Sequence, residues 1–365
     1  MSTERPMPGR IVHLHGGLRA FDGGAPKTDV GVSSGLVFGQ LNLPSYGSLY
    51  AMLAKLGLRP LGVEFLTAPA GLVGASSPDW RSFSFKSGFY AMNEEQIWQG
   101  VRHNASTTGQ PMVADLAGRC GTYLRLLSIR VREISEAYGR CLNAHVAKKS
   151  EIKAGLFTNS WTIYIDAALH GFLADAASFR DLIAEMVWRL VLGQTNPAIS
   201  TLGGLLRQAP AKDSDIALVK EVLAQTREGG WLRNLSSVRD AIIHVAPLSR
   251  SQEFHFVATR LLSMPDATSL PTLHYPLTEA DGSVRHRPIE PVDFRDEATI
   301  KIALEQYHGF VARSGDALDF AVENFTRLTA LAREVRTYCE LVSKPVVLTE
   351  KEIIGPIKVT RGESG

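Results

Sequence analysis

The residues best suited to chemistry lie in the stretch Ser237-Val238-Arg239-Asp240-Ala241-Ile242-Ile243-His244. Arginine supplies a permanent planar cation that grips phosphate through two bonds. Histidine takes and gives protons near neutral pH. The pair suits work on a phosphodiester. RNA carries its own nucleophile, the 2′-hydroxyl. A base of near-neutral pKa can remove that proton while a fixed cation stabilises the crowded phosphate, and this chemistry needs no metal. On an ideal α-helix, residues five apart diverge by about 140°. A site built from Arg239 and His244 is therefore easiest to assemble from two chains related by a two-fold axis, and a homodimer is expected.

Spacing alone does not single out this pair. Arginine followed five positions later by histidine occurs at Arg10 and His15, Arg140 and His145, Arg239 and His244, and Arg250 and His255. Context selects the third. Arg239 has a polar follower, Asp240, then an apolar run, and a long amphipathic helix upstream. The string resembles the Arg-(four to six residues)-His signature of the HEPN superfamily of helical ribonucleases and nucleotide-binding proteins. The order of elements over residues 115–265 also resembles HEPN domains: a long helix carrying Ser178-Phe179-Arg180-Asp181, a shorter helix, then the motif helix. The resemblance implies an antiparallel four-helix core, frequent dimerisation, an active cleft where two motif copies meet, and metal-independent RNA cleavage in catalytic members. Other relatives have binding or antitoxin-paired roles. The alternative is thus a non-catalytic helical interaction or scaffold subunit of a defence or regulatory assembly, with Arg239 paired to Asp181 or Glu185 and His244 bonded inside a bundle.

Asp166 and His170 stand one helical turn apart, so the acid could orient and charge the imidazole. They are supporting candidates beside Asp240. His13 and His15 alternate along a strand and could hold a metal, but the sequence offers no third ligand nearby. The Gly16-Gly17 and Gly23-Gly24 pairs lack the Lys-Ser/Thr ending of a phosphate-binding loop. No metal and no other cofactor is expected.

The composition is that of a globular chain with a substantial core: 365 residues, 45% hydrophobic and 21% charged. A formal net charge of +2 gives no general attraction to nucleic acid, so RNA must be met by a local patch. DNA-specific binding is not expected; a protein partner is. Cys120, Cys141 and Cys339 form no Cys-x-x-Cys pair and read as reduced thiols in helices. No apolar run has the length of a membrane span, and no signal peptide is visible at the start. A cytoplasmic protein without membrane contact follows.

The positioning elements divide at about residue 108. Residues 1–108 read as a loop-rich mixed region with strands at 11–14, 61–66 and 81–85 and helices at 48–56 and 94–101. Residues 109–343 read as a helical HEPN-like domain, and 344–365 as a tail with short strands. Leu124, Leu127, Val131, Ile134, Tyr138, Cys141 and His145 form a heptad seam. A second apolar stripe runs along 157–192 from Trp161 to Leu190. These two helices should pack antiparallel. A helix at 213–227 precedes the motif helix, which should start near Asn234 or Ser236. Residues 249–262 follow in helical rhythm. A β-hairpin is expected within 265–295, pairing 272–277 with 284–289 around Asp281-Gly282; its arm, with Arg285, His286 and Arg287, is locally basic. A helical stretch, 296–341, breaks at Ser314-Gly315. The fold expected is mainly α: a helical bundle with a mixed N-terminal region and a hairpin insertion.

Overall fold

The computed structural model describes residues 9–23, 26–66, 79–84, 88–147, 149, 151–209, 215–245, 256–264, 269–284 and 292–343. Its N-terminal part is an antiparallel sheet of strands β1 (Gly9–Leu14), β2 (Arg19–Asp22), β3 (Lys27–Ser33), β4 (Leu36–Asn42), β5 (Pro60–Leu66) and β6 (Asp79–Ser82), with helix α1 (Leu49–Lys55) between β4 and β5. The spatial order is β4-β3-β2-β1-β5-β6. The fold is therefore mixed α/β, and the expectation of a mainly helical bundle is corrected. Strands β2, β3 and β4 were absent from the sequence reading because short, glycine-interrupted segments look like loops. The alternation that makes β3 a strand is nonetheless present: Thr28, Val30 and Val32 are at most 3% exposed.

Both faces of this sheet are covered. Register places Ile11, Glu64 and Trp80 on one face, and His13 with Gly62 on the same side. That face meets helix α3, introduced below: Trp80 Nε1 donates to the Ser128 carbonyl at 2.9 Å. On the other face, the Arg10 guanidinium is 3.6 Å from the centroid of the Tyr46 ring. Gly62 is required by this packing, since a Cβ there would lie 2.0 Å from the Trp80 ring. The indole is tethered and cannot yield. Gly62→Ala is therefore expected to cost about 1–3 kcal/mol, read as a lower urea midpoint at unchanged slope.

Helices follow: α2 (Tyr90–Thr107), α3 (Pro111–Val146), then strand β7 (Gly155–Phe157) and α4 (Thr162–Met186), which runs on into a π-turn, Val187–Val191. Helices α3 and α4 pack antiparallel, as their apolar stripes predict. Arg119 near the start of α3 pairs with Glu185 near the end of α4 at 3.0 Å. Arg130 pairs with Asp175 at 2.7 Å in the middle. Cys141 Sγ meets Asn159 Oδ1 just ahead of α4 at 3.4 Å. Along the seam, Leu124, Leu127, Val131, Ile134, Tyr138 and Cys141 are at most 1% exposed. His145 ends the seam stacked on Phe157, with ring centroids 3.5 Å apart. One buried apolar cluster extends from Val12 in β1 to Leu341 beyond the last helix.

The remaining elements are α5 (Leu202–Gln208), α6 (Ala217–Gln225), α7 (Trp231–Asp240) with a second π-turn at Ala241–Val245, β8 (Val257–Ser263), β9 (Ser269–His274), β10 (Pro276–Thr278), α8 (Glu297–Arg313), β11 (Gly315–Asp316) and α9 (Ala317–Arg336). One expectation is corrected here. The described part of 249–262 is strand, because Val257–Ser263 is taken up between β7 and β9. The strand near 272 pairs backwards with β8; of its expected partner 284–289, only Val284 is among the described residues. The Asp281-Gly282 turn does form, with Gly282 at φ 81° and a single Thr278–Val284 bridge. Residues 285–291, with the basic arm, lie outside the described residues, as do Arg250, His255 and the 344–365 tail.

Candidate active site

Helix α7 starts at Trp231 after Gly230, earlier than the expected Asn234 or Ser236. Ser236 does not cap: its hydroxyl donates to the Leu232 carbonyl one turn back at 2.7 Å. Leu232, Leu235 and Val238 form the buried stripe of the helix, which holds Arg239 at the surface with its side chain 30% exposed. Arg239 Nη1 bonds Asp240 Oδ1 at 2.8 Å. The polar follower thus orders the arginine. Asp181 and Glu185 are engaged otherwise: Asp181 by Arg180 at 2.9 Å, Glu185 by Arg119 at 3.0 Å.

His244 lies in the π-turn Ala241–Val245. This changes the geometry the sequence implied. An i→i+5 ring takes more residues per turn than an α-helix. Residues 239 and 244 then diverge by less than the roughly 140° of an ideal α-helix. The backbone sets the two motif positions closer together around the helix axis than an α-helix would.

A second cation reaches the same helix from α4. Arg180 of α4 donates through Nη1 to Ser236 Oγ at 2.7 Å. Ser236 and Arg239 are three apart on α7 and share a face. Arg180 was visible in the sequence only as part of a helix; nothing in its spacing announced a contact across helices. Asp181 anchors it and also accepts from the Leu202 amide at 3.1 Å, fixing the start of α5.

The supporting pair Asp166 and His170 sits elsewhere. Asp166 is 14 positions before Arg180 on α4, about 20 Å along the helix axis. Its carboxylate is 3% exposed and accepts from the Tyr275 hydroxyl at 2.5 Å. The Tyr275 amide in turn donates to Asp316 Oδ2 at 2.9 Å, which also accepts from Tyr138 at 3.1 Å. Burial lifts the Asp316 carboxyl to about 6. This network ties α3, α4 and α9 together and holds Asp166 in the interior, while His170 is half-buried.

His13 and His15 also go to separate partners. His15 Nδ1 accepts from the Arg59 amide at 3.0 Å. His13 Nδ1 is 3.0 Å from Ser135 Oγ, and its Nε2 is 3.4 Å from Glu64. Serine, histidine and glutamate stand in a row, but all three are under 9% exposed, so no substrate reaches them. Burial pushes the Glu64 carboxyl up; the His13 ring and the 2.5 Å ion pair with Arg132 outweigh it and bring it to about 2. A depressed carboxylate gives stability that is present above about 4.5 and lost as pH falls through about 2. Glu64→Gln is expected to flatten that acid limb, measured as melting temperature from pH 5 to pH 2. Among the described residues, no group of three or more His, Cys, Asp or Glu side chains could hold a metal.

No protein-family profile, no curated protein and no solved structure matches this chain. None of the described helices is long and apolar enough to cross a membrane.

Proposed function

We propose that the chain is a metal-independent endoribonuclease acting in the cytoplasm, with Arg239 and His244 as its catalytic residues and Arg180 as a second phosphate contact. The observation that carries this reading is the π-turn at Ala241–Val245, which sets the two motif positions closer together around the helix axis than an α-helix would. Such turns are rare and concentrate at functional sites. The partial exposure of Arg239 and the contact of Arg180 with the same helix add support.

In this mechanism His244 takes the proton of a 2′-hydroxyl. The 2′-oxygen attacks the adjacent phosphorus and the bond to the 5′-oxygen breaks. A proton returns to that oxygen from the imidazolium. Arg239, steered by Asp240, stabilises the phosphorane charge. The products are a 2′,3′-cyclic phosphate and a 5′-hydroxyl. Because the nucleophile belongs to RNA, DNA should remain intact.

The stoichiometry of the site is testable by mixing. Arg239→Ala and His244→Ala chains, each inactive, are expected to stay inactive together if one chain supplies both groups. Recovery of activity in the mixture would show a composite site across a homodimer. Sedimentation at micromolar concentration measures self-association independently.

A further inference from the structure

Helix α7 borders a second feature, eight residues before Arg239 and so about 12 Å along the axis. A cleft of about 410 Å³ opens between Trp231 on α7, the β10–β11 ribbon and the first turns of α9. Its volume is in the range of small-molecule sites. Asn324, 4% exposed, lines it. The amide group of Asn324 donates to the Phe320 carbonyl at 2.8 Å, which fixes Oδ1 as the other end. That oxygen is buried and has no hydrogen-bond partner among the described residues. An acceptor in this state calls for a ligand N–H or O–H.

The walls set the charge of the ligand. Arg327 is neutralised by Glu323 at 2.5 Å, and Asp319 by Arg59. Arg260, which donates to the Val311 carbonyl at 3.0 Å, is close enough to the lining carboxylate of Asp316 to be attracted by it, and Asp281 adds another acid at the rim. With more carboxylates than cations, this lining selects a neutral polar group over a free phosphate. Trp231 adds a flat apolar surface, with the Arg327 guanidinium 5.7 Å from its ring centroid. Aromatic surface with a hydrogen-bond acceptor at its edge is the arrangement that holds unstacked bases.

We infer that this cleft receives a single unstacked nucleobase with an exocyclic amino group, stacked on Trp231 and donating that amino group to Asn324 Oδ1. The inference rests on the RNA reading for its biological ligand, and it deepens that reading by assigning a base-specificity site beside the motif. It does not depend on cleavage for its test.

Calorimetric titration of the full chain with adenosine, cytidine, guanosine and purine riboside decides it. Purine riboside is adenosine without the amino group. At least one amino-bearing nucleoside should bind; adenosine should bind at least fivefold tighter than purine riboside, and adenosine monophosphate should bind within about threefold of adenosine. Asn324→Leu should erase the difference between adenosine and purine riboside, and Trp231→Ala, at the rim, should weaken both alike. If no amino-bearing nucleoside binds at millimolar concentration, the inference falls. It falls equally if the preference for the amino group survives in Asn324→Leu, or if Trp231→Ala binds adenosine as wild type does. Nucleoside binding by a chain that cuts no RNA would retain this site and remove the proposed catalysis.

Discussion

His244→Ala is expected to lower the rate of RNA cleavage by about 10²–10⁴-fold, the usual contribution of a positioned proton carrier. Arg239→Ala should cost about 10²–10³-fold through loss of charge on the phosphorane. Arg239→Lys should restore little, because an ammonium cannot reproduce a bidentate grip. The checks are single-turnover cleavage of labelled RNA, end-group analysis for a cyclic phosphate, and a DNA strand of the same sequence that should survive. Chelator should leave the rate unchanged, since neither nucleophile nor base in the proposed reaction is metal-bound. Arg239→Ala should melt within a few degrees of wild type, because its side chain is part-exposed. Cleavage that persists through both alanine substitutions would take the chemistry away from this motif.

The largest stability effect is expected at Arg10 and Asp22. Their side chains are 3% and 1% exposed and meet at 2.8 Å. The guanidinium also donates to the Tyr46 carbonyl. Asp22→Ala leaves a buried cation without its counter-charge, at a cost of about 3–5 kcal/mol. Replacing both residues with leucine should recover most of that loss, since the desolvation of two charges is removed together. The exposed pair Lys220 and Asp215, at 2.9 Å, makes the contrast: its removal should change stability by about 0–1 kcal/mol. Urea unfolding of the three variants separates these outcomes. A small effect for Asp22→Ala would mean that water reaches Arg10.

Arg10 also shows how context decides what an arginine–histidine spacing means. Arg10 and His15 share the spacing of the motif, yet one is locked to Asp22 and the other accepts from the Arg59 backbone. Arg140 and His145 share it too, and the ring of His145 is stacked on Phe157. Neither fate is written in the spacing. Both follow from strands and helices brought together from distant parts of the chain.

Periodicity by itself determined the two long helices and their antiparallel contact, because a face of apolar residues repeated over many turns must be buried against a partner of similar length. It also determined β1, β5 and the break between α8 and α9, where Asp316 caps the second helix through the Leu318 amide at 2.9 Å. The sheet as a whole was decided in three dimensions. Strands β2 to β4 are short, and their pairing energy comes from neighbours that local sequence does not specify. The same is true of 257–263, whose helical rhythm lost to pairing on both edges. At the motif, sequence supplied Arg239, Asp240 and His244 in order. Tertiary structure supplied the π-turn at Ala241–Val245 and the crossing of α4 that sets Arg180 on Ser236 of the motif helix. A helix can gain a residue in one turn only where surrounding packing offsets the weaker hydrogen bonding, so no pattern within eight residues could have announced it.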